Sequence, residues 1–402
     1  MQECKEISLK YLFFTFLKIG SISWGGFMAL IAVMKKQLVD KDKVINEKVV
    51  LDGISLASVL PGAVAVNVAT YIGYQLRGIK GGLFCLVATI LPAFLMILCL
   101  GTIYSTFGEL PFFNKFFLGI LPAISAVILS VAIGMAQKQI KDYKQVIMCL
   151  LAGICLLTIH TFYATLFVII SSAIAGYLFY RVPETNIGRE GSNANPVNYR
   201  KLLLYAVIPF LPILILFIAI WVFGLDKFDW YNINRTIFLT FSGMSLTLFG
   251  GGYVIVPAMQ SVIVEGFHWM TTKEFSDAIA MGQITPGPVI ITATFIGFKV
   301  AGYLGALVAT LAIFIPPGIL IIISSVFLKR VKDSEFVTAI FLGMRPAIIG
   351  MIFSAAITIG KGAELTWPSA LIILLTFVLL VKYKVNVAWM IPLAGIAGIL
   401  LF

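Results

Sequence analysis

At 402 residues, 60% hydrophobic and only 12% charged, this chain lies far from the roughly 25% charged residues of an ordinary soluble domain. That composition excludes a soluble enzyme or a nucleic-acid binder and predicts an all-α, polytopic membrane protein in contact with lipid. The net charge of +11 is mostly loop charge on the inner side of the membrane, and by itself it says nothing of an anionic ligand.

In chain order the apolar runs are 9–34, 54–76, 79–105, 112–136, 146–160, 162–180, 202–224, 236–259, 279–301, 303–328, 336–360, 367–381 and 385–402. Most are close to the roughly 20 residues a spanning helix needs. The start, MQECKEISLK, lacks the small-residue site of a cleavable signal, so the first run is expected to stay in the mature protein. That run contains Lys18 and Gly25-Gly26, and the second contains Pro61-Gly62 in LASVLPGAVAVN. Further on, Gly250-Gly251-Gly252 interrupt 236–259, Pro286-Gly287 interrupt 279–301 in MGQITPGPVIIT, and Arg345 lies inside 336–360. Five scattered cysteines and two distant histidines predict no metal site, no disulfide framework and no cofactor.

A shift of 225 residues lays Gly25-Gly26 on Gly250-Gly251, Asp52 on Asp277 and Pro61-Gly62 on Pro286-Gly287. After one deletion, a shift of 224 lays Gly73, Gly78, Gly81 and Pro92 on Gly297, Gly302, Gly305 and Pro316. Such a register of glycines and prolines is the mark of a duplication. The expected division is a repeat over 1–180, a linker with one extra transmembrane helix over 181–235, and a second repeat over 236–402.

Lysine and arginine are retained on the cytoplasmic side in short loops. Residues 35–48 hold Lys35, Lys36, Lys41, Lys43 and Lys48, whereas the matching 260–273 hold only Lys273. Matching loops prefer opposite sides, which is the signature of an inverted repeat. Segment 202–224 supplies the odd crossing that turns the second half over, and the linker 181–201 is expected inside. Loop 35–48 and the nearby Arg77 and Lys80 both look cytoplasmic, although 54–76 lies between them. Re-entrant hairpins resolve this, with 9–34 breaking at Gly25-Gly26 and 54–76 at Pro61-Gly62. Glycine permits the turn and proline ends the helix.

Irregular backbone at membrane depth persists only where protein buries it or water reaches it, so the breaks predict a binding site. A helix starting there presents unpaired N–H groups and the positive end of its dipole, which favour an anion. The neighbouring side chains are neutral hydrogen-bonders: Ser58 and Asn67 in the first half, Gln283, Thr285 and Thr292 in the second. Lys18 and Arg345 are intramembrane cations and therefore functional candidates. Their structural alternatives are snorkelling for Lys18 and pairing with a helix carbonyl for Arg345. Asp52 and Asp277 are among the few available acids, and they read equally well as plain N-terminal helix charges.

These same stretches resemble a known family. FGGGYVIVPAMQ (249–260), WMTTKEFSDAIAMGQITPGPVIITATFIGF (269–298) and AGYLGALVATLAIFIPPG (301–318) are similar to the C-terminal domain of the chromate transporter family. WGGFMALIAVM (24–34), LPGAVAVNVATYIGYQLRGIKGGL (60–83) and LPAF (91–94) resemble its N-terminal domain. The resemblance implies a multi-pass carrier of chromate in the bacterial inner membrane, usually exporting it for resistance, with sulfate as the structural mimic. The first half departs from the family pattern in having WGGF for FGGP, Ser58 for glutamine and PGA for PGP. A channel on the same scaffold is the next reading, although no charged ring or filter repeat is visible. An intramembrane enzyme comes last, since the chain has no H-E-x-x-H, no G-x-S-x-G and no paired intramembrane aspartates, and the lack of a Walker A sequence argues against ATP-driven transport by this chain alone. A homodimer is left open.

Overall fold

The computed structural model describes residues 7–24, 27–107, 110–159, 162–180, 229–248, 252–325, 335–362, 366–385 and 387–402. Gly25, Gly26, Gly250, Gly251, the linker 181–201 and the expected crossing 202–224 lie outside the described residues. Within them the chain is helical and has no strand, so it is an all-α membrane protein.

The described helices form two sets of seven. The first set is α1 (Leu9–Ile22), α2 (Phe27–Lys35), α3 (Glu47–Val59), α4 (Val64–Phe107), α5 (Pro111–Gln139), α6 (Tyr143–Thr158) and α7 (Phe162–Tyr180). The second set is α8 (Asp229–Thr247), α9 (Ile255–Gln260), α10 (Thr272–Ile284), α11 (Thr292–Ser325), α12 (Glu335–Gly362), α13 (Trp367–Val381) and α14 (Val387–Leu401).

The duplication extends to the backbone dihedrals. A π-helical turn follows α2 at Lys36–Lys41 and α9 at Ser261–Gly266, and the next turn places Lys43 at φ 50° and His268 at φ 52°. Gly62 and Gly287 have φ +107° and +106°. Inside α4, Arg77 (φ −144°, ψ 26°) and Gly78 (φ 61°, ψ −152°) fold the helix back on itself. Inside α11, Ala301 (φ −141°, ψ 28°) and Gly302 (φ 63°, ψ −152°) do the same.

Each half begins with short limbs that turn back. The Tyr11 hydroxyl, near the start of α1, donates to Asp42 beyond the end of α2, so these two helices turn back on each other. Gly53 and Tyr71, equidistant from Gly62, touch: a Cβ added at Gly53 would lie 2.8 Å from Tyr71 Cδ1. At 13 residues, α3 is about 20 Å long, too short for a hydrocarbon core of about 30 Å. The run 54–76 is therefore a re-entrant hairpin, not a span, which is why the lysines before it and Arg77 after it lie at one end. Side-chain caps mark the entries: Ser8 accepts from the Tyr11 N–H, Asn46 from Val49, and Thr271 makes a capping box with Glu274.

Among the described residues, four helices are long and apolar enough to cross a membrane: Val64–Phe107, Asn114–Gln139, Val289–Ser325 and Ala339–Gly360. The long limbs of α4 and α11 run antiparallel. A Cβ at Gly82 would lie 3.1 Å from Ile322 Cδ1, Gly318 abuts Leu86, and Thr102 Oγ1 is 3.2 Å from the Tyr303 hydroxyl. Helices equivalent by the repeat but opposed in direction are related by a two-fold axis perpendicular to them. Because these limbs cross the membrane, that axis lies in its plane, and the halves are inverted repeats.

The halves are also interwoven. Helices α6 and α7 pack on α12 of the other half, while α13 and α14 pack on α5. The equivalent glycines Gly119 and Gly343 meet Gly398 and Gly176 at these crossings. Small residues let helix backbones approach closely where lipid removes the hydrophobic drive for association.

Candidate functional site

The two proline-glycine tips each reach into the opposite half. The N–H of Gly62 donates to the Leu248 carbonyl at the end of α8 (2.7 Å), and the N–H of Gly287 donates to the Ser23 carbonyl at the end of α1 (3.0 Å). Ser23 and Leu248 are equivalent under the 225-residue shift, so each half uses its hairpin tip to cap a helix of the other. The last carbonyls of a helix have no intrahelical donor, and the tip glycines supply one.

The seats under the tips are likewise related. Gly62 rests on Pro317 of α11, where an added Cβ would overlap Pro317 Cβ and lie 2.8 Å from Cγ. Gly287 faces Ala93 of α4, with 3.6 Å between an added Cβ and Ala93 Cβ. Gly252 packs on the Pro286-Gly287 side, its added Cβ falling 3.1 Å from Ile290 Cγ2. The second-half breaks therefore meet one another, and each tip docks on the proline-bearing helix of the opposite half. Pro316 removes the donor that the Ala312 carbonyl would otherwise use, and Ser245 Oγ approaches that carbonyl at 3.5 Å.

The side chains named from sequence divide into engaged and available groups. The Asn67 amide is 1% exposed and donates to the Pro61 carbonyl at 2.9 Å, bracing the first tip. The Ser58 hydroxyl donates to Ile54 O, Thr285 to Gly282 O and Thr292 to Val289 O. These hydroxyl protons, like the N–H groups of Gly62 and Gly287, are already committed. The Gly287 N–H, one of the candidate donors at the second tip, is bonded to the end of α1.

Gln283 is different. Its Oε1 accepts from the Tyr253 hydroxyl at 3.2 Å, while Nε2 is buried with no hydrogen-bond partner among the described residues. Ser58, at the equivalent first-half position, has no comparable group, so the two tips differ in donors. The Tyr253 contact was not anticipated, although Tyr253 directly follows the glycine triplet in FGGGYVIV. Lys18 and Arg345 are both exposed. Arg345 belongs to α12, which packs against the Gly252–Val254 turn and α10, so its helix reaches the breaks while its side chain stays open.

A second polar feature was legible only as an isolated acid. Asp277 on α10 is 2% exposed, and its Oδ2 accepts from the Tyr104 hydroxyl of α4 at 2.8 Å. Its repeat mate Asp52 is half-buried.

Comparison with known proteins matches both halves. A family profile described as chromate transporter covers residues 10–177 and 235–399. The chain is 32% identical to a chromate transport protein of Cupriavidus metallidurans, over 94% of this chain and 89% of that one. It is 30% identical to a probable chromate transport protein of Synechococcus elongatus, over 98% and 95% of the two chains. An uncharacterized transporter of Methanocaldococcus jannaschii is also 30% identical, over 100% of this chain and 96% of its own. No solved structure matches. With the profile covering both inverted halves, this chain belongs to the chromate transporter family.

Proposed function

We propose that this protein is a secondary carrier of an inorganic oxyanion, chromate with sulfate as its mimic, in the bacterial inner membrane. Residues 1–180 and 236–402 act as its two repeats, and 181–235 joins them. The observation that carries the reading is the crossing of helix breaks between inverted halves, with one buried amide donor, Gln283 Nε2, left unpaired there. Paired breaks in opposed repeats are the usual place for a transporter's substrate. A buried donor without a partner is costly unless a ligand takes it up.

In this reading Gln283 donates to an oxyanion oxygen, and Arg345 compensates its charge from the open side through a planar fork suited to two oxygens of a tetrahedral anion. The N–H groups in the first turn of α4 favour the same charge. Alternating access exchanges the roles of the halves, and each exchange strains one of the two reciprocal bonds, Gly62 to Leu248 or Gly287 to Ser23. A single such bond contributes about 1 kcal/mol net, a barrier small enough for a carrier to cross.

The test is uptake and counterflow of chromate and sulfate in proteoliposomes. Trans-stimulated, saturable exchange is expected, whereas flux linear in concentration without exchange identifies a channel. Gln283→Ala removes a hydrogen bond to a charged group, about 1.5–3 kcal/mol, and should raise the apparent KM roughly 10- to 100-fold. Arg345→Lys should impair transport less than Arg345→Ala. Normal kinetics in both Gln283→Ala and Arg345→Ala, at normal expression, would refute the site.

A further inference from the structure

We propose that Asp277 is a proton-carrying carboxyl of the transport cycle, held by Tyr104 across the interface of the two halves. The inference rests on the carrier reading above. Asp277 Oδ2 accepts from Tyr104, but Oδ1 is buried and has no hydrogen-bond partner among the described residues. An ionised carboxylate offers about four acceptor positions, so a single bond leaves the anion poorly compensated where burial is nearly complete. An uncompensated buried charge is strongly unfavourable, and the inexpensive remedy is a proton.

The surrounding charges do not supply another remedy. On its own helix, Lys273 lies one turn earlier and donates to Asn114 at 2.8 Å. Glu274 is paired with Lys299 of α11 at 2.9 Å and closes the capping box with Thr271. Among the other helices packed on α10, α4 presents Tyr104, α5 carries the exposed Lys115, and α12 the exposed Arg345. The Val289–Ile291 turn and α14 carry no ionisable side chain.

Access and coupling follow from position. Residues 271–273 are exposed and burial begins at Phe275, so Asp277 sits just inside the mouth of the second re-entrant hairpin, about 9 Å along the helix from its cap. Among the described residues its hydrogen-bond donor, Tyr104, comes from the other half, so relative movement of the halves changes what the carboxyl touches. A proton taken from water at this mouth binds Oδ1 and neutralises the group. When Tyr104 moves away, the same O–H bond breaks and the proton passes to water on the opposite side. Intramembrane acids that change partners in this way make proton relays.

The experiment uses the full chain in proteoliposomes with chromate as probe, the membrane potential clamped and a pH gradient imposed. One proton per anion and a one-unit gradient give about tenfold accumulation. Wild type should reach that order, and Asp277→Asn, which can still accept from Tyr104, should keep chromate counterflow but lose accumulation. Asp277→Glu should keep coupling with a displaced pH profile, which guards against a folding defect in the amide variant. Accumulation by Asp277→Asn equal to wild type overturns the proposal. So does a wild type that exchanges chromate yet ignores the pH gradient, or one driven by a sodium gradient instead. A wild type without counterflow refutes the carrier reading itself.

Discussion

Alanine at the two tip glycines separates backbone strain from packing, because the positions share a dihedral and differ in what lies beneath. Gly62 has φ +107° and Gly287 φ +106°, a region that side chains rarely adopt, so alanine costs about 1–3 kcal/mol at either site. At Gly287 the new methyl lies 3.6 Å from Ala93 Cβ, an ordinary contact, and adds little. At Gly62 it overlaps the Pro317 ring, and overpacking of this kind adds about 1–3 kcal/mol. Withdrawal of the tip also stretches the 2.7 Å bond from Gly62 N–H to Leu248, for a further ~1 kcal/mol. Gly62→Ala should therefore exceed Gly287→Ala by about 2–4 kcal/mol, the sum of the packing and bond losses. Equilibrium unfolding in mixed detergent micelles, followed by tryptophan fluorescence, measures both. A double-mutant cycle with Pro317→Gly should recover the packing part. Equal destabilisation by the two alanines, or no coupling to Pro317, would refute the seating of the first tip on α11.

Three further predictions use the same backbone logic and the loops. Gly78 and Gly302 combine φ +61° and +63° with ψ −152°, a region essentially confined to glycine, so although nothing lies within 4 Å of an added Cβ, alanine or asparagine at either position should cost about 1–3 kcal/mol in the same unfolding assay. Single cysteines replacing the equivalent Lys48 and Lys273 should react with impermeant reagent from opposite sides of sealed vesicles, and labelling from one side would contradict the inverted repeat. Asp142 caps α6 through the Gln145 N–H and accepts from the Tyr180 hydroxyl at 2.7 Å. Although burial raises its pKa, those bonds outweigh it and hold the carboxyl below its ordinary value of about 3.9. Its contribution is present above that value and fades as pH falls through the lower folded one. Asp142→Ala should cost about 1 kcal/mol at neutral pH, with the gap from wild type closing in acid as read by thermal melts.

The duplication, the breaks at Pro61-Gly62 and Pro286-Gly287 and the opposed orientation of the halves were legible in the sequence. Glycine and proline act on their own backbone, and lysine counts act through the membrane potential and translocation, so each leaves a local mark. The sequence also singled out Gln283, but not that its amide would be unpaired while the hydroxyls of Ser58, Thr285 and Thr292 were engaged. That distinction, the capping of α1 and α8 by the opposite tips, the mounting of α6 and α7 on α12, and the meeting of Asp277 with Tyr104 join residues far apart in the chain. Only tertiary structure decides these, because lipid-facing and protein-facing sides of a membrane helix are alike apolar and the hydropathy pattern does not say which neighbour a face will meet.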